Sequence, residues 1–402
     1  MLKSTKINQD TFWVGALDPG LRIFDIIMYT PYGTSYNSYA VKGSEKTAVF
    51  EAVKAPFFEE YCQRLNDMGL DIKDVDYIIV NHTEPDHAGS IEKILQVNPN
   101  VEIIGSKTAL NFLKGITNME FKAREAKDGD TLDLGGKTVR FFMTPFLHWP
   151  DTMVSYIEED QFLITCDIFG THYCFDGIFN DEMSDAQRVE YEGSLKYYFD
   201  MIMSPFKPYM LKAIAKIEPL PIAMILTGHG PVLRQNPREV VARWKEWAQL
   251  KVSLKNRVSI HYVSAYGYTR EIAEAVAEGI QSAGDFKVTL NDIIHCKTED
   301  LVSEIVESDA VLFGSPTIVG EMLEPVRMLL AHLNPIIHGG KIAGAFGSYG
   351  WSGEAVPRME SRLKELKMKL PAGVIKFNFK MSEADRAAAR EYGRCIAQAL
   401  NA

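Results

Sequence analysis

The chain has 402 residues, of which 46% are hydrophobic and 24% charged, with a formal net charge of −10. That length exceeds one ordinary hydrophobic core and fits two domains, and the composition is that of a folded protein rather than a disordered one. The acidic balance argues against nucleic acid as a partner, and no apolar run reaches the roughly 20 residues that would cross a bilayer.

Residues Met1 to Leu17 contain no continuous apolar stretch of the secretory type, so a cytoplasmic location is expected. The five cysteines (Cys62, Cys166, Cys174, Cys296, Cys395) are scattered, with no C-x-x-C pair. This fits a reducing compartment and excludes a rubredoxin-like iron centre or a zinc ribbon within the chain.

From Gly33 to about Leu226 short β-rich runs dominate, interrupted by helical stretches and by turns at Gly135-Gly136 and Glu158-Glu159-Asp160. The apolar run Tyr77–Val80 leads into Asn81-His82-Thr83-Glu84-Pro85-Asp86-His87-Ala88-Gly89-Ser90. An extended loop after a strand points alternate side chains toward one centre, so His82, Glu84 and Asp86 are expected to converge on a metal cluster, with His87 out of phase. Three further candidates follow apolar runs in the same way: His148 after Val139–Met143, Asp167 after Phe162–Thr165, and His229 after Ile222–Leu226. Sheets gather sites at the carboxyl ends of strands, so these four loops are expected to meet at one edge. Three imidazoles with three carboxylates suit iron, which takes mixed N and O ligation. Gly135-Gly136-Lys137-Thr138 is read as a hairpin turn and not a phosphate loop, because Thr131 stands where that motif needs Gly and a strand follows.

Pro237 to Lys251 reads as a charged amphipathic helix carrying Trp244 and Trp247, and the boundary is placed near residue 253, giving domains 1-252 and 253-402. Beyond it strands and helices alternate. The expected strands are Val258–Val263, Phe286–Leu290, Ala310–Gly314, Ile342–Phe346 and Gly373–Phe377. The expected helices are Arg270–Ser282, Leu301–Ser308, Met322–Leu333, Ala355–Leu366 and Glu383–Ala399, which together make a doubly wound five-stranded parallel sheet.

Three loops of this domain suit a flavin. Ser264-Ala265-Tyr266-Gly267-Tyr268-Thr269 sits between a strand and a helix, where the Ser264 and Thr269 hydroxyls and first-turn N–H groups can hold a phosphate. Ser315, Pro316 and Thr317 follow the third strand; Ser348, Tyr349, Gly350, Trp351 and Ser352 follow the fourth, where Tyr349 or Trp351 can lie against an isoalloxazine ring. These loops resemble those of flavodoxins, which implies FMN. No G-x-G-x-x-G opens a helix after a strand, so a nicotinamide-binding domain is not expected.

The histidine- and carboxylate-bearing segment resembles the metallo-β-lactamase superfamily, with Glu84 where its hydrolases carry a second histidine. Extended through His148-Trp149-Pro150-Asp151 and Gly228-His229-Gly230, and joined to the flavodoxin-like half, the chain from Gly33-Thr34-Ser35-Tyr36-Asn37 onward is similar to the flavodiiron protein family. The resemblance implies an α+β metallo-β-lactamase-like αββα sandwich followed by an α/β flavodoxin-like domain. It also implies two iron ions: His82, Glu84 and His148 on one, Asp86 and His229 on the other, and Asp167 bridging. His87 is expected to stand off the metal. Tyr197, His172, Trp149 and Asp25 are expected near the pocket; several family members carry a histidine where Asp25 stands. The implied activity is reduction of dioxygen to water or of nitric oxide to nitrous oxide, with electrons passing through FMN from a separate donor such as rubredoxin, in a head-to-tail homodimer or a dimer of dimers. A dinuclear zinc hydrolase with an appended flavodoxin is the alternative, and an electron-transfer or sensing protein the third reading.

Overall fold

In a strand, neighbouring side chains face opposite ways, and in the first half of the chain that alternation feeds two cores. Val41, Phe50, Ile79 and Ile104 share one core with Val139, Phe141, Phe162 and Ile164, whereas Ala40, Val49, Ile78 and Ile103 face helices on the outside. The result is two sheets packed face to face between helical layers. The computed structural model from which this is read describes residues 2–26, 28–249 and 256–401.

The first sheet runs Thr5–Lys6, Thr11–Trp13, Tyr39–Lys42, Thr47–Phe50, Tyr77–Val80, Glu102–Gly105, Lys122–Glu125, antiparallel up to Thr47–Phe50 and parallel beyond it. The second runs Thr131–Asp133, Thr138–Met143, Met153–Ile157, Phe162–Cys166, Met224–Thr227, and its last two strands are parallel. Gly135 and Gly136, at φ 84° and 74°, make the turn read from the sequence. The terminal helix of this half covers Pro237–Ala248.

The chain divides into two compact units, Met1–Gln249 and Leu250–Ala402. The boundary expected between 252 and 253, and the expected end of the preceding helix at Lys251, lie outside the described residues.

In the second unit all five strands are parallel, in the order Lys287–Asp292, Arg257–Tyr262, Ala310–Gly314, Ile342–Tyr349, Val374–Asn378. One face of the sheet packs on the helices Tyr268–Gln281 and Glu383–Asn401, the other on Thr298–Glu307, Glu324–Ala331 and Ala355–Glu365. Three expected boundaries are corrected. The first helix opens at Tyr268 rather than Arg270, because Gly267 at φ 89° reverses the chain one residue earlier. The fourth strand runs on through Gly347, Ser348 and Tyr349, which pair with Lys376, Phe377 and Asn378. Residues 321 and 322 form a short strand with Thr317–Ile318 before the helix starts at Glu324. Among the described residues no helix is long and apolar enough to cross a membrane.

Candidate metal centre and flavin site

All four loops singled out from the sequence leave the carboxyl ends of strands in the first unit, and their side chains meet in two groups. His82, Glu84, His148 and Asp167 form one; Asp86, His87 and His229 form the other; within each group the donor atoms lie within 4.8 Å of one another. Ligands at about 2.0–2.2 Å from one ion can be no more than roughly 4.4 Å apart, so each group is close to the size of a coordination sphere.

Asp167 joins them. Its Oδ2 is 3.2 Å from His148 Nε2 and 3.6 Å from His82 Nε2, while its Oδ1 is 2.9 Å from His87 Nε2 and 3.4 Å from His229 Nε2. Glu84 Oε2 closes the first group at 3.0 Å from His148 and 3.2 Å from His82, and Asp86 Oδ2 the second at 3.0 Å from His229. Asp167 is aimed by a register shift between Ile164 and Cys166, with Cys166 at φ 50°, the kind of bulge that redirects the next side chain.

The extended loop expected after Tyr77–Val80 is not borne out throughout. Pro85 starts a one-turn helix, Pro85–Ala88, with Glu84 at its head. That turn carries His87 inward, so the residue expected to stand off the metal has its Nε2 among the donor atoms.

The donor set fits cations. Asp86 is 5% exposed, and neither of its carboxylate oxygens has a hydrogen bond of good geometry. A carboxylate in that position needs positive charge beside it. Against the upward push of burial, hydrogen bonds from His148 and His82 hold Glu84 below the ordinary carboxylate range. Burial lowers an imidazole, but at His82 it is outweighed by the hydrogen bonds with Asp151 and Glu84, and at His148 by those with Asp167 and Glu84, which bring His148 up to about 9. Metal binding to such a cluster displaces protons.

Partners further out fix the imidazoles. His229 Nδ1 donates to the Ser35 carbonyl at 2.6 Å, which leaves Nε2 free to ligate. Asn37 staples the same loop, its Nδ2 donating to the carbonyls of Thr227 and Gly230. His82 Nδ1 faces Asp151 Oδ2 at 3.4 Å, and that oxygen also accepts from the Thr83 amide and hydroxyl. Sequence reading missed the roles of Ser35, Asn37 and Asp151. Asp151 offered a signal, a carboxylate three residues after a candidate ligand; a backbone carbonyl offers none.

The remaining expected neighbours are distributed unevenly. Trp149 stands edge-on to His82 at 5.2 Å between ring centroids. His172 lies 4.7 Å from the His229 ring and shares a 2.8 Å hydrogen bond with the Thr34 hydroxyl. Burial, with the neighbouring His229 ring, holds it well below the usual histidine range. Tyr197 lines a largely apolar cleft of about 550 Å³ that reaches His172, while Tyr198, one step round the helix, is the tyrosine in ring contact with His172 at 5.0 Å. Asp25 hydrogen-bonds Glu84, and partial burial and that carboxylate push it up to about 6.

In the second unit the three flavin loops leave three adjacent strands at their carboxyl ends. Thr269 is buried, and its hydroxyl shares a 2.9 Å hydrogen bond with that of Ser348, tying the first loop to the third. Ser264 Oγ accepts from the Arg270 amide at 3.3 Å, Ser315 Oγ from the Leu323 amide at 2.9 Å, and Thr317 Oγ1 from the Ala355 amide at 3.2 Å. Tyr266 and Trp351 are 84% and 88% exposed, and Gly267 has open space where a Cβ would stand. Unburied aromatic rings beside hydroxyls and a helix N-terminus suit a ligand with a flat apolar ring and a phosphate. Thr269→Val should weaken flavin binding by about 1 kcal/mol, roughly fivefold in Kd, and leave metal content unchanged; fluorescence titration of the flavin-stripped variant measures it.

A sandwich with two donor groups sharing one aspartate, ahead of a flavodoxin-type sheet, defines a redox protein that pairs a dinuclear metal centre with a flavin. Residues 34–230 match the family described as ODP family beta lactamase, and residues 260–393 match flavodoxin. The flavo-diiron protein FprA2 of Clostridium acetobutylicum is 39% identical over 99% of this chain and 100% of its own length. An anaerobic nitric oxide reductase flavorubredoxin of Aeromonas hydrophila is 32% identical over 98% of this chain and 79% of its own. Among solved structures, rubredoxin oxygen:oxidoreductase from Desulfovibrio gigas is 32% identical, covers 99% of both chains and superposes with a TM-score of 0.65. The chain belongs to the flavodiiron protein family and is an oxidoreductase.

Proposed function

We propose that this chain reduces dioxygen to water, nitric oxide to nitrous oxide, or both, at a non-haem diiron site fed through FMN by an external donor such as rubredoxin. The observation that carries this reading is the division of the Asp167 carboxylate, one oxygen to each donor group. When bound, two irons supply stored electrons and open coordination positions for a diatomic gas, and FMN supplies one- and two-electron transfer.

His82, Glu84 and His148 would hold one ion, Asp86, His87 and His229 the other, and Asp167 both. Asp151 and the Ser35 carbonyl orient two of the imidazoles, so their Nε2 lone pairs are directed before any ion arrives. Dioxygen reduction consumes four electrons and four protons, and coupling two nitric oxides consumes two of each. Asp25, hydrogen-bonded to Glu84 and raised to about 6, is a group that can hold a proton at the site. Ser264, Thr269, Ser348 and the first-turn amides would hold the FMN phosphate, with Tyr266, Tyr349 and Trp351 near the ring. The second unit offers one phosphate loop, so FMN rather than FAD is expected on denaturation.

The relay is inferred to close between chains of a head-to-tail homodimer, or within a dimer of such dimers, in the cytoplasm. Anaerobic reduction followed by parallel turnover with each gas tests the proposal. About two irons per chain, released FMN and consumption of at least one gas are expected. Two zinc ions with no gas consumption would replace it with the hydrolase reading, and FMN reduction without gas consumption with an electron carrier.

A further inference from the structure

Beside the six expected ligands lies a third buried cluster. A Glu51 carboxylate oxygen, a His87 ring nitrogen and the Cys166 sulfur are within 4.8 Å of one another, and all three residues are buried. Glu51 follows the strand Thr47–Phe50 and sits at φ 60°, a backbone conformation that side-chain-bearing residues rarely adopt. Its Oε1 accepts from the Asn81 amide at 2.9 Å. Its Oε2 is buried with no hydrogen-bond partner, and so is His87 Nδ1. His87 Nε2 is already committed to Asp167 Oδ1 at 2.9 Å, which leaves Nδ1 as the nitrogen free to pair.

The surroundings hold these two groups together. The Ala52 amide, next to Glu51, donates to the His87 carbonyl at 2.7 Å. On the far side the Gly228 backbone is so close that a Cβ there would stand 2.8 Å from His87 Cε1. Burial pushes the Cys166 thiol up, so it is a neutral wall of the cluster. Two unsatisfied polar atoms in one buried enclosure are each costly, and pairing them, directly or through one water, satisfies both.

We propose that Glu51 is a positioning residue for the metal centre: its carboxylate accepts the Nδ1 proton of His87 and so holds Nε2 toward Asp167 Oδ1 and the second ion. The inference rests on the reading of this site as a dinuclear metal centre. Glu51 adds a carboxylate–imidazole pair behind the group of Asp86, His87 and His229, the group for which the sequence resemblance implied Asp86 and His229 besides Asp167. Partners of this kind set the tautomer and ring orientation of a ligand, and their loss typically costs about 10–100-fold in metal affinity.

The test uses the full-length, flavin-containing chain. Anaerobic titration with ferrous ion should show Glu51→Gln binding the second ion about 10–100-fold more weakly, with Glu51→Asp restoring most of the loss because it keeps the carboxylate. In a His87→Asn background Glu51→Gln should cost nothing further, a coupling that a general structural role would not produce. In the zinc-loaded chain, 15N spectra of labelled histidine should show His87 protonated at Nδ1. Unchanged affinity in Glu51→Gln, additive costs with His87→Asn, or an unprotonated His87 Nδ1 would each overturn the proposal while leaving the metal reading intact. The spectra of the unsubstituted chain decide the matter should Glu51→Gln not fold. A chain that takes up neither zinc nor iron overturns the metal reading itself, and Glu51 with it.

Discussion

Asp167→Ala is expected to lower iron content from about two per chain to less than one and turnover by more than roughly 100-fold, the upper range for groups one step removed from a metal. Asp167 divides its carboxylate between the two donor groups: it faces His82 and His148 through one oxygen and His87 and His229 through the other. Alanine supplies neither contact. The fold should survive, because imidazoles that lose a carboxylate partner can release their protons and remain buried as neutral rings. Flavin should stay bound, since all its expected contacts lie between residues 264 and 352. Iron analysis, the flavin spectrum and gas consumption on one preparation decide the matter; native iron content with native turnover would remove Asp167 from the bridging role.

The second large effect concerns assembly. A variant lacking iron, His229→Ala with Asp167→Ala, and a flavin-stripped chain whose affinity for FMN is lowered by Thr269→Val with Ser264→Ala, should each be inactive alone. Mixed under conditions of subunit exchange, they should recover activity, because the proposed head-to-tail heterodimer would pair the intact flavin of one chain with the intact diiron site of the other. Random exchange within a two-fold dimer sets the ceiling at roughly a quarter of the unsubstituted rate. The substitutions act locally in each unit. Thr269 and Ser264 bond Ser348 and the Arg270 amide, and His229 bonds Ser35 and faces Asp86. Demonstrated exchange with no recovered activity, or an active species that sediments as a monomer, would place the relay within one chain.

The convergence of the six residues was legible in the sequence for one reason. Each follows an apolar run, and a charged or imidazole side chain just past a buried strand has few places to go except a site. The flavodoxin-like half was legible from its regular alternation of strands and helices, with errors confined to ends: a positive-φ glycine moved the start of a helix to Tyr268, and pairing with Val374–Asn378 lengthened the fourth strand to Tyr349.

Direction was not legible. Whether His87 turns inward alongside Asp86 depends on the single helical turn begun at Pro85, and whether Tyr197 or Tyr198 reaches His172 depends on how their helix is rotated against its neighbours. Glu51 and Asp151 are carboxylates next to apolar strands or candidate ligands, and only packing shows that one faces His87 and the other His82. The Ser35 carbonyl carries no side-chain signal at all. The sequence by itself determined which residue types stand at strand ends and the order of the two halves. The tertiary structure decided which atoms face one another, because side-chain periodicity specifies a face to within about one residue, whereas hydrogen bonding and coordination depend on displacements of less than an ångström.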